Sequence, residues 1–489
     1  MKQNILKSLL VCLLTFAGMN ASAYDCYVNG IYYNLNESDK TASVTYVYDN
    51  VYNYESYAGV VAIPEKIEYN GATYAVTSIG DCAFLYCIEL TKVTIPNSVT
   101  SIGDCAFLEC MYLTEVSLSN SLTKIGHKAF QDCSYLANLT IPNSVTEIGD
   151  SVFRRSGLTN VSLSNNMTKI SNGAFSGCGN LENLIIPNSI NKIDTVAFQS
   201  CGLTELTIPN SVTEISAGAF RACKNLMQIS LPNNITEISS YAFFDCNSLA
   251  EITIPNSVTK IGQYAFTYCD GLTELVIPDN VEEIGYNAFA LCNGLTSVII
   301  GNGVTLIDDI AFGLCPNLNS LTIGNNVKRI GGFAFQGCAS LTEVIIPNNV
   351  TEIEGCVFDE CIGLTKITIG SGVTSIGNHA FRNCPSLTSV TSLNPTPPEI
   401  SSITFDAVTT QTATLHVPEG CKTAYEQAPY WEDFFRIEAD MPTAIESVAA
   451  GSQDASTIYT LDGVKLNTTN TSDLPSGIYV VGGKKVVVK

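Results

Sequence analysis

Apolar residues return along this chain at fixed positions. Residues 90–112 read LTKVTIPNSVTSIGDCAFLECMY, and the places of Leu90, Val93, Ile95, Val99, Ile102, Ala106, Phe107 and Cys110 are refilled in each following stretch almost to residue 400. Anchor phenylalanines run from Phe84 and Phe107 to Phe358 and Phe381 in steps of 23 residues, two of them shortened to 22. A fixed period between about 20 and 50 residues identifies a solenoid. Within a unit, the alternation around Val93–Ile95 predicts a short strand. Pro96-Asn97-Ser98 carries turn chemistry, and Val99–Ile102 predicts a second short strand. Gly103-Asp104 is expected to open a helical turn with Ala106, Phe107 and Cys110 on one side. One such unit buries too little apolar surface to fold alone, so stacking between neighbours must supply the rest. The two shortened steps, at Phe153–Leu158 and Phe198–Leu203, fall between the phenylalanine and the next leucine, where loop length is tolerated.

The ends differ from the middle. Residues 1–23 have the form of a signal peptide: Lys2 and Lys7, the apolar run Ser8–Met19, and the small-residue site Ala21-Ser22-Ala23. The run is too short to span a bilayer, and the mature chain is expected to start at Tyr24. Residues 24–75 are tyrosine-rich, with strand-like Ile31–Leu35, Ser43–Tyr48 and Val60–Ile63 and a hairpin turn at Tyr69-Asn70-Gly71-Ala72. They are expected to form an N-terminal β-rich cap over the first coil's open edge. The repeats occupy 76–393. Residues 394–440 carry a degenerate last repeat and a C-terminal cap, with a strand at Thr414–Val417, a capping helix at Ala424–Trp431, and Trp431, Phe434 and Phe435 as the plug. Residues 441–489 hold a linker and a short β-rich tail with runs at Ile458–Leu461, Gly477–Val481 and Lys485–Lys489.

A formal net charge of −22 repels phosphate backbones and anionic lipid, so nucleic acid and membrane insertion are excluded as expectations. Nineteen cysteines in an exported chain suggest disulfides. Their register argues for free thiols instead. Cys110, Cys133, Cys178, Cys201, Cys223, Cys246, Cys269 and Cys292 share one column with Cys87, Cys315, Cys338, Cys361 and Cys384, three residues after each phenylalanine, where cysteine serves as a small buried side chain. Ser156 fills the column in one unit, while Cys82, Cys105 and Cys356 lie outside it. A second, polar column, from Asn97 and Asn120 to Asn348 and Ser371, is expected to satisfy turn backbone. Glu147, Glu214, Glu237, Glu283 and Glu352 alternate on the second strand with Lys124, Lys169, Lys192, Lys260 and Arg329, a pattern of cross-strand pairs. The three histidines, His127, His379 and His416, are far apart. Phosphate-loop, nucleophile-elbow and zinc motifs are missing from the sequence. The expectation is therefore no enzyme, no cofactor and no metal.

The columns Leu90, Val93, Ile95-Pro96-Asn97-Ser98-Val99, Ile102-Gly103, Ala106-Phe107 and Cys110 resemble the BspA-type leucine-rich repeats of bacterial surface proteins. The resemblance covers residues 60–440, including the entry segment Tyr69–Gly80. It implies a right-handed leucine-rich-repeat-like coil, here with about 14 repeats of 22–23 residues. It also implies a secreted or surface-exposed protein, adhesive to host matrix or plasma proteins or to other cells. Ile458–Lys465 and Leu474–Tyr479 are similar to parts of the sorting domain of the type IX secretion route. The functional expectation is a monomeric, extracellular or outer-surface module that binds a protein, either a host matrix or plasma protein or another bacterial surface protein. The alternative is a carbohydrate-binding accessory protein. The contact guessed on the exposed strand face is Glu251, Glu274, Val276, Ser297 and Ile299, with Val276 and Ile299 as adjacent apolar exposures. For carbohydrate, only the N-terminal tyrosines offered candidate stacking rings.

Overall fold

The computed structural model of the chain describes residues 24–47, 57–441, 458–460, 477–481 and 484–488. The signal-peptide reading, residues 442–456 of the linker expected at 441–456, and residues 461–465 and 474–476 of the sorting-domain likeness lie outside them. The fold is a β-solenoid of about 16 turns with almost no helix, and the chain divides into two compact units, Met1–Pro232 and Asn233–Lys489.

In the first unit the tyrosine-rich segment starts both strand ladders. Strands Cys26–Val28, Ile31–Asn36 and Thr41–Thr45 form an antiparallel meander, and Thr41–Thr45 then pairs parallel with Ala72–Ile79. Ala72–Ile79 pairs parallel with Ser101–Ile102, and that ladder continues through Lys124–Ile125 to Glu147–Ile148. Gly59–Ala62 pairs parallel with Leu90–Thr94, the start of the other ladder. The expected hairpin joins Lys66–Tyr69 to Ala72–Ile79. Asn70 and Gly71 take φ of 50° and 77°, the left-handed pair that a two-residue turn needs to match strand twist. Tyr57 extends the phenylalanine column: its ring lies 4.6 Å from that of Phe84, and its hydroxyl donates to the Thr45 carbonyl at 2.5 Å. The rings of Phe84, Phe107 and Phe130 then stack at 4.8 and 5.0 Å, within 6° of parallel.

The second unit repeats the scheme. Its second strands run parallel from Glu237–Ile238 to Ser375–Ile376 in a seven-stranded sheet. Its first strands include Glu274–Ile277, Ser297–Ile300 and Ser320–Thr322, and a five-stranded sheet that ends on Thr414–Pro418 and Arg436–Met441. The ring column passes from Phe243 through Phe381 to Phe405, which the sequence pattern had not included, at 4.9 Å from Phe381. It stops where Trp431 and Phe434 turn across Phe405 at 58° and 81°. Ile458–Thr460, Gly477–Val481 and Lys484–Val488 form a three-stranded antiparallel sheet.

Four expectations need correction. The second strand of a unit is two residues long, as at Ser101–Ile102, because Val99 closes the turn with an N–H to the Pro96 carbonyl. The C-terminal helix is Lys422–Glu426 rather than Ala424–Trp431, and a further helix forms at Ala407–Thr412. Trp431 and Phe434 are buried, but Phe435 is 87% exposed and plugs nothing.

The expected helical turn is a run of tight turns. Residues two before and two after each phenylalanine take the left-handed conformation, Cys105 and Glu109 with φ of 55° and 59°. The strain is about 1–2 kcal/mol for each non-glycine residue. The conformation aims alternate N–H groups sideways. Cys105, Phe107 and Glu109 donate to the carbonyls of His127, Ala129 and Gln131 in the next coil at 2.7–2.9 Å. A helical turn would direct these donors along its own axis and leave the coils unpaired here. The close approach also explains the glycine column: a Cβ on Gly126 would lie 2.5 Å from the Gly103 carbonyl carbon.

Phe289 is fully buried, with rings stacked on it at 5.0 and 5.2 Å. We expect Phe289→Ala to lower the unfolding free energy by about 3–5 kcal/mol. Urea denaturation followed by circular dichroism reads this, and a loss below about 1 kcal/mol would show that the ring column is not a principal support.

Candidate functional site

The first-strand ladder presents two outward columns. Glu274 pairs with Ser297 and Val276 with Ile299 across parallel strands, while Glu251 holds the equivalent position one repeat earlier and is exposed. The fold thus sets four of the five guessed contact residues side by side. Val276 is 58% exposed, whereas Ile299 is half-buried, so the apolar part of this contact is smaller than the strand pattern suggested. Elsewhere on the ladder charges pair between rungs: Lys92 with Glu115 and Lys366 with Glu343, each at 2.7 Å. Second-strand pairs form at Lys192–Glu214 and Lys260–Glu283, at 2.9 and 3.0 Å. Such exposed pairs contribute about 0.2–1 kcal/mol each.

The cysteine column is buried, and its members are not joined by disulfides. Each thiol has a partner that the sequence did not reveal. Cys110 Sγ donates to the Phe84 carbonyl at 2.9 Å, Cys133 to Phe107 at 3.2 Å, Cys178 to Phe153 at 3.0 Å, and Cys201 to Phe175 at 2.9 Å. Cys223, Cys269 and Cys292 donate likewise to Phe198, Phe243 and Phe266. A cysteine there is a small apolar group with one donor. Cys82 and Cys105, off the column, occupy left-handed positions and pack with Leu108, Tyr46 and Leu85.

The asparagine column acts as expected. The Oδ1 of Asn97, Asn143 and Asn348 accepts the backbone N–H of Asn120, Asn165 and Ser371 at 2.9–3.1 Å, and Asp279 does the same for Asn302 at 2.7 Å. Asp104 and Asp81 form a similar column, taking the N–H of His127 and Asp104. These amides and carboxylates are spent on backbone.

Two groupings escaped the sequence reading because they join distant residues. His416 Nδ1 lies 2.9 and 3.1 Å from the carboxylate oxygens of Asp440, with Glu438 paired beside His416. Their ligand atoms lie within 4.8 Å of one another, so among the described residues this trio could jointly hold a metal ion. Glu438 also faces Arg436 at 3.8 Å, and ion pairing already accounts for the arrangement. The second grouping is aromatic. On the turn side of the second unit, Tyr241 stacks on Tyr264 at 4.8 Å, Phe244 meets Tyr268 at 5.7 Å, and Tyr264 meets Tyr286 at 5.3 Å. The clue was available in aromatic residues at non-core positions of consecutive repeats.

The model of the BspA-type leucine-rich repeat region matches residues 77–204, 191–319 and 305–431. The chain belongs to the BspA-type leucine-rich repeat family. Among solved structures, it is similar to a leucine-rich repeat protein of Bacteroides ovatus, with 26% identity over 81% of this chain and 100% of that one and a TM-score of 0.66. It is also similar to a leucine-rich cell surface protein of Faecalibacterium prausnitzii, with 29% identity over 76% and 96% of the two chains and a TM-score of 0.49. No curated protein matches the chain.

Burial pushes the thiols of Cys223, Cys315 and Cys384 up to about 12. Their ordinary value is 9.0. A thiol whose folded pKa is raised contributes stability in full below about pH 9 and loses it as pH climbs toward 12. The slope is about 1.4 kcal/mol per thiol per pH unit. The melting temperature should therefore fall between pH 8 and pH 10, and less steeply in a Cys223→Ser/Cys315→Ser/Cys384→Ser variant. Equal slopes for the two proteins would refute the assignment. In denaturant, every cysteine from Cys26 onward should react with a thiol reagent, whereas oxidised pairs would contradict the free column.

Proposed function

We propose that this protein is an exported, cell-surface module that binds protein partners along the outside of its solenoid, in an adhesive and non-catalytic role. The observation that carries the reading is the first-strand ladder of the second unit. There Glu274, Val276, Ser297 and Ile299 lie in register on an outward face, while the asparagine and cysteine columns are committed to the scaffold. Repeat solenoids use such extended surfaces for binding. The acidic balance of the chain suits a basic patch on an extracellular host protein or on another bacterial surface protein. Export rests on the signal-peptide pattern of residues 1–23.

Carbohydrate capture is the second reading, because the Tyr24, Tyr27 and Tyr32 rings cluster at 4.5 and 4.8 Å and Tyr27 is exposed. The test is a binding screen of the mature chain against matrix and plasma proteins, with a glycan array alongside. A saturable, salt-sensitive protein ligand whose affinity drops about tenfold or more in a Glu274→Lys/Val276→Ser variant is the expected result. Glycan binding abolished by Tyr27→Ala and Tyr32→Ala would replace it with the second reading.

A further inference from the structure

The first-strand ladder keeps one rule along its length and breaks it at the C-terminal end. In its second outward column, every coil from Thr94 to Thr391 carries threonine, serine, valine or isoleucine. Thr391 pairs with His416, and His416 with Glu438, so the last two rungs of that column are titratable. The next outward residue of the final strand, Asp440, is placed by a β-bulge. Val417 pairs with Ala439 and Pro418 with Met441, which leaves Asp440 as the extra residue with none opposite it. Bulges re-aim side chains. This one brings both carboxylate oxygens of Asp440 to His416 Nδ1, at 2.9 and 3.1 Å. An imidazole and two carboxylates from neighbouring strands thus converge on one outward face, with ligand atoms within 4.8 Å of one another.

Ion pairing holds the trio in this arrangement but employs only part of it. The Asp440 carboxylate alone satisfies His416 Nδ1. Glu438 adds nothing to that contact, and its own cation, Arg436, stands at 3.8 Å, beyond hydrogen-bonding distance, with its side chain 65% exposed. Arg436 can therefore swing into solvent without uncovering a buried charge. The donor set selects the ligand. Ligand atoms on a four-coordinate zinc ion, with bonds of about 2.0–2.2 Å, stand about 3.3–3.6 Å apart, and the distances here bracket that separation. Two carboxylates cancel the charge of a divalent ion. The imidazole favours zinc and its transition-metal neighbours over calcium and magnesium, which take oxygen ligands. Three protein ligands leave a fourth position for water or for a donor from a bound molecule.

We infer that His416, Glu438 and Asp440 form a surface binding site for a divalent transition-metal ion, with zinc as the best fit, that ties the last two strands of the ladder together. This departs from the sequence expectation of no metal, because no local motif spans the two strands. It does not rest on the protein-binding reading.

The test is calorimetric titration of the untagged mature chain with zinc chloride, repeated with calcium chloride. The expected result is a single zinc ion bound per chain, with calcium at least tenfold weaker. Zinc affinity should fall at least tenfold in His416→Ala and in Asp440→Asn, since loss of even an outer partner of a metal ligand costs about that much. Glu438→Gln, a change of similar shape at an exposed position, serves if those variants unfold, and should weaken zinc binding to the same extent. Arg436→Ala should bind zinc at least as tightly as the wild type, because it removes a competing cation from Glu438. The half-buried thiols of Cys356 and Cys421 are the rival zinc ligands, and a Cys356→Ser/Cys421→Ser variant should keep the site. Four results overturn the proposal: no zinc bound by the wild type, affinity unchanged by the His416 and Asp440 substitutions, affinity lost in the cysteine variant instead, or calcium bound as tightly as zinc.

Discussion

The Phe107 carbonyl accepts the Cys110 amide of its own coil at 3.1 Å and the Cys133 thiol of the next at 3.2 Å, while the Phe107 amide donates onward to Ala129 at 2.7 Å. This junction recurs down the column, and the rest of each coil is arranged to allow it. The rings can stack near 5 Å because backbone at that position approaches backbone at strand spacing. The approach requires the left-handed residues on either side, which turn the donors toward the neighbour, and the glycine at the corner, where a Cβ would collide. Cysteine fits the column because alanine would leave the second lone pair of a buried carbonyl without this donor, and a larger residue would hold the coils apart.

That constraint explains where sequence reasoning succeeded and where it stopped. The period, the strands, the free thiols and the asparagine column were legible, because each follows from a side chain repeated in one register. The turn after Gly103 was misread as helical for a definite reason. Ala106, Phe107 and Cys110 have spacing that suits a helix face, and nothing in the residue types at Cys105 and Glu109 announces a positive φ. Only the pairing with the next coil determines it. The thiol's acceptor, three residues back and one coil away, was hidden in the same way. Phe435 was misjudged because an aromatic residue next to Trp431 and Phe434 reads as part of the same plug, whereas it directly precedes the strand Arg436–Met441 and Trp431 and Phe434 already close Phe405.

The surface was less legible because a repeat pattern directs attention to its regular columns. Strand-face residues could be aligned by eye, and four of them do lie in register. The turn-side rings are irregular members of columns that tolerate many residue types, so their clustering emerged only with the geometry. His416 and Asp440 are a similar case, since they belong to a degenerate coil with no repeat to align against.

A solenoid of this kind separates support from recognition by position within each coil. Cysteine, asparagine and glycine columns are tied to backbone and admit few substitutions. Strand-face positions project outward, and so do many left-handed ones, although Cys82 and Cys105 are buried, so most of their occupants can change without disturbing the ladders. Substitution at the left-handed positions is nevertheless not free, because the backbone there favours small or flexible residues. Tyrosine, isoleucine, leucine and phenylalanine take several of those places in the second unit against the local preference, beside Asp245, Asn287, Gly337, Glu360 and Asn383. Part of those side chains packs ring against ring between coils, as Tyr241 does on Tyr264, so the turn side combines support between coils with variable outer surface, while the strand face presents its residues in strict register.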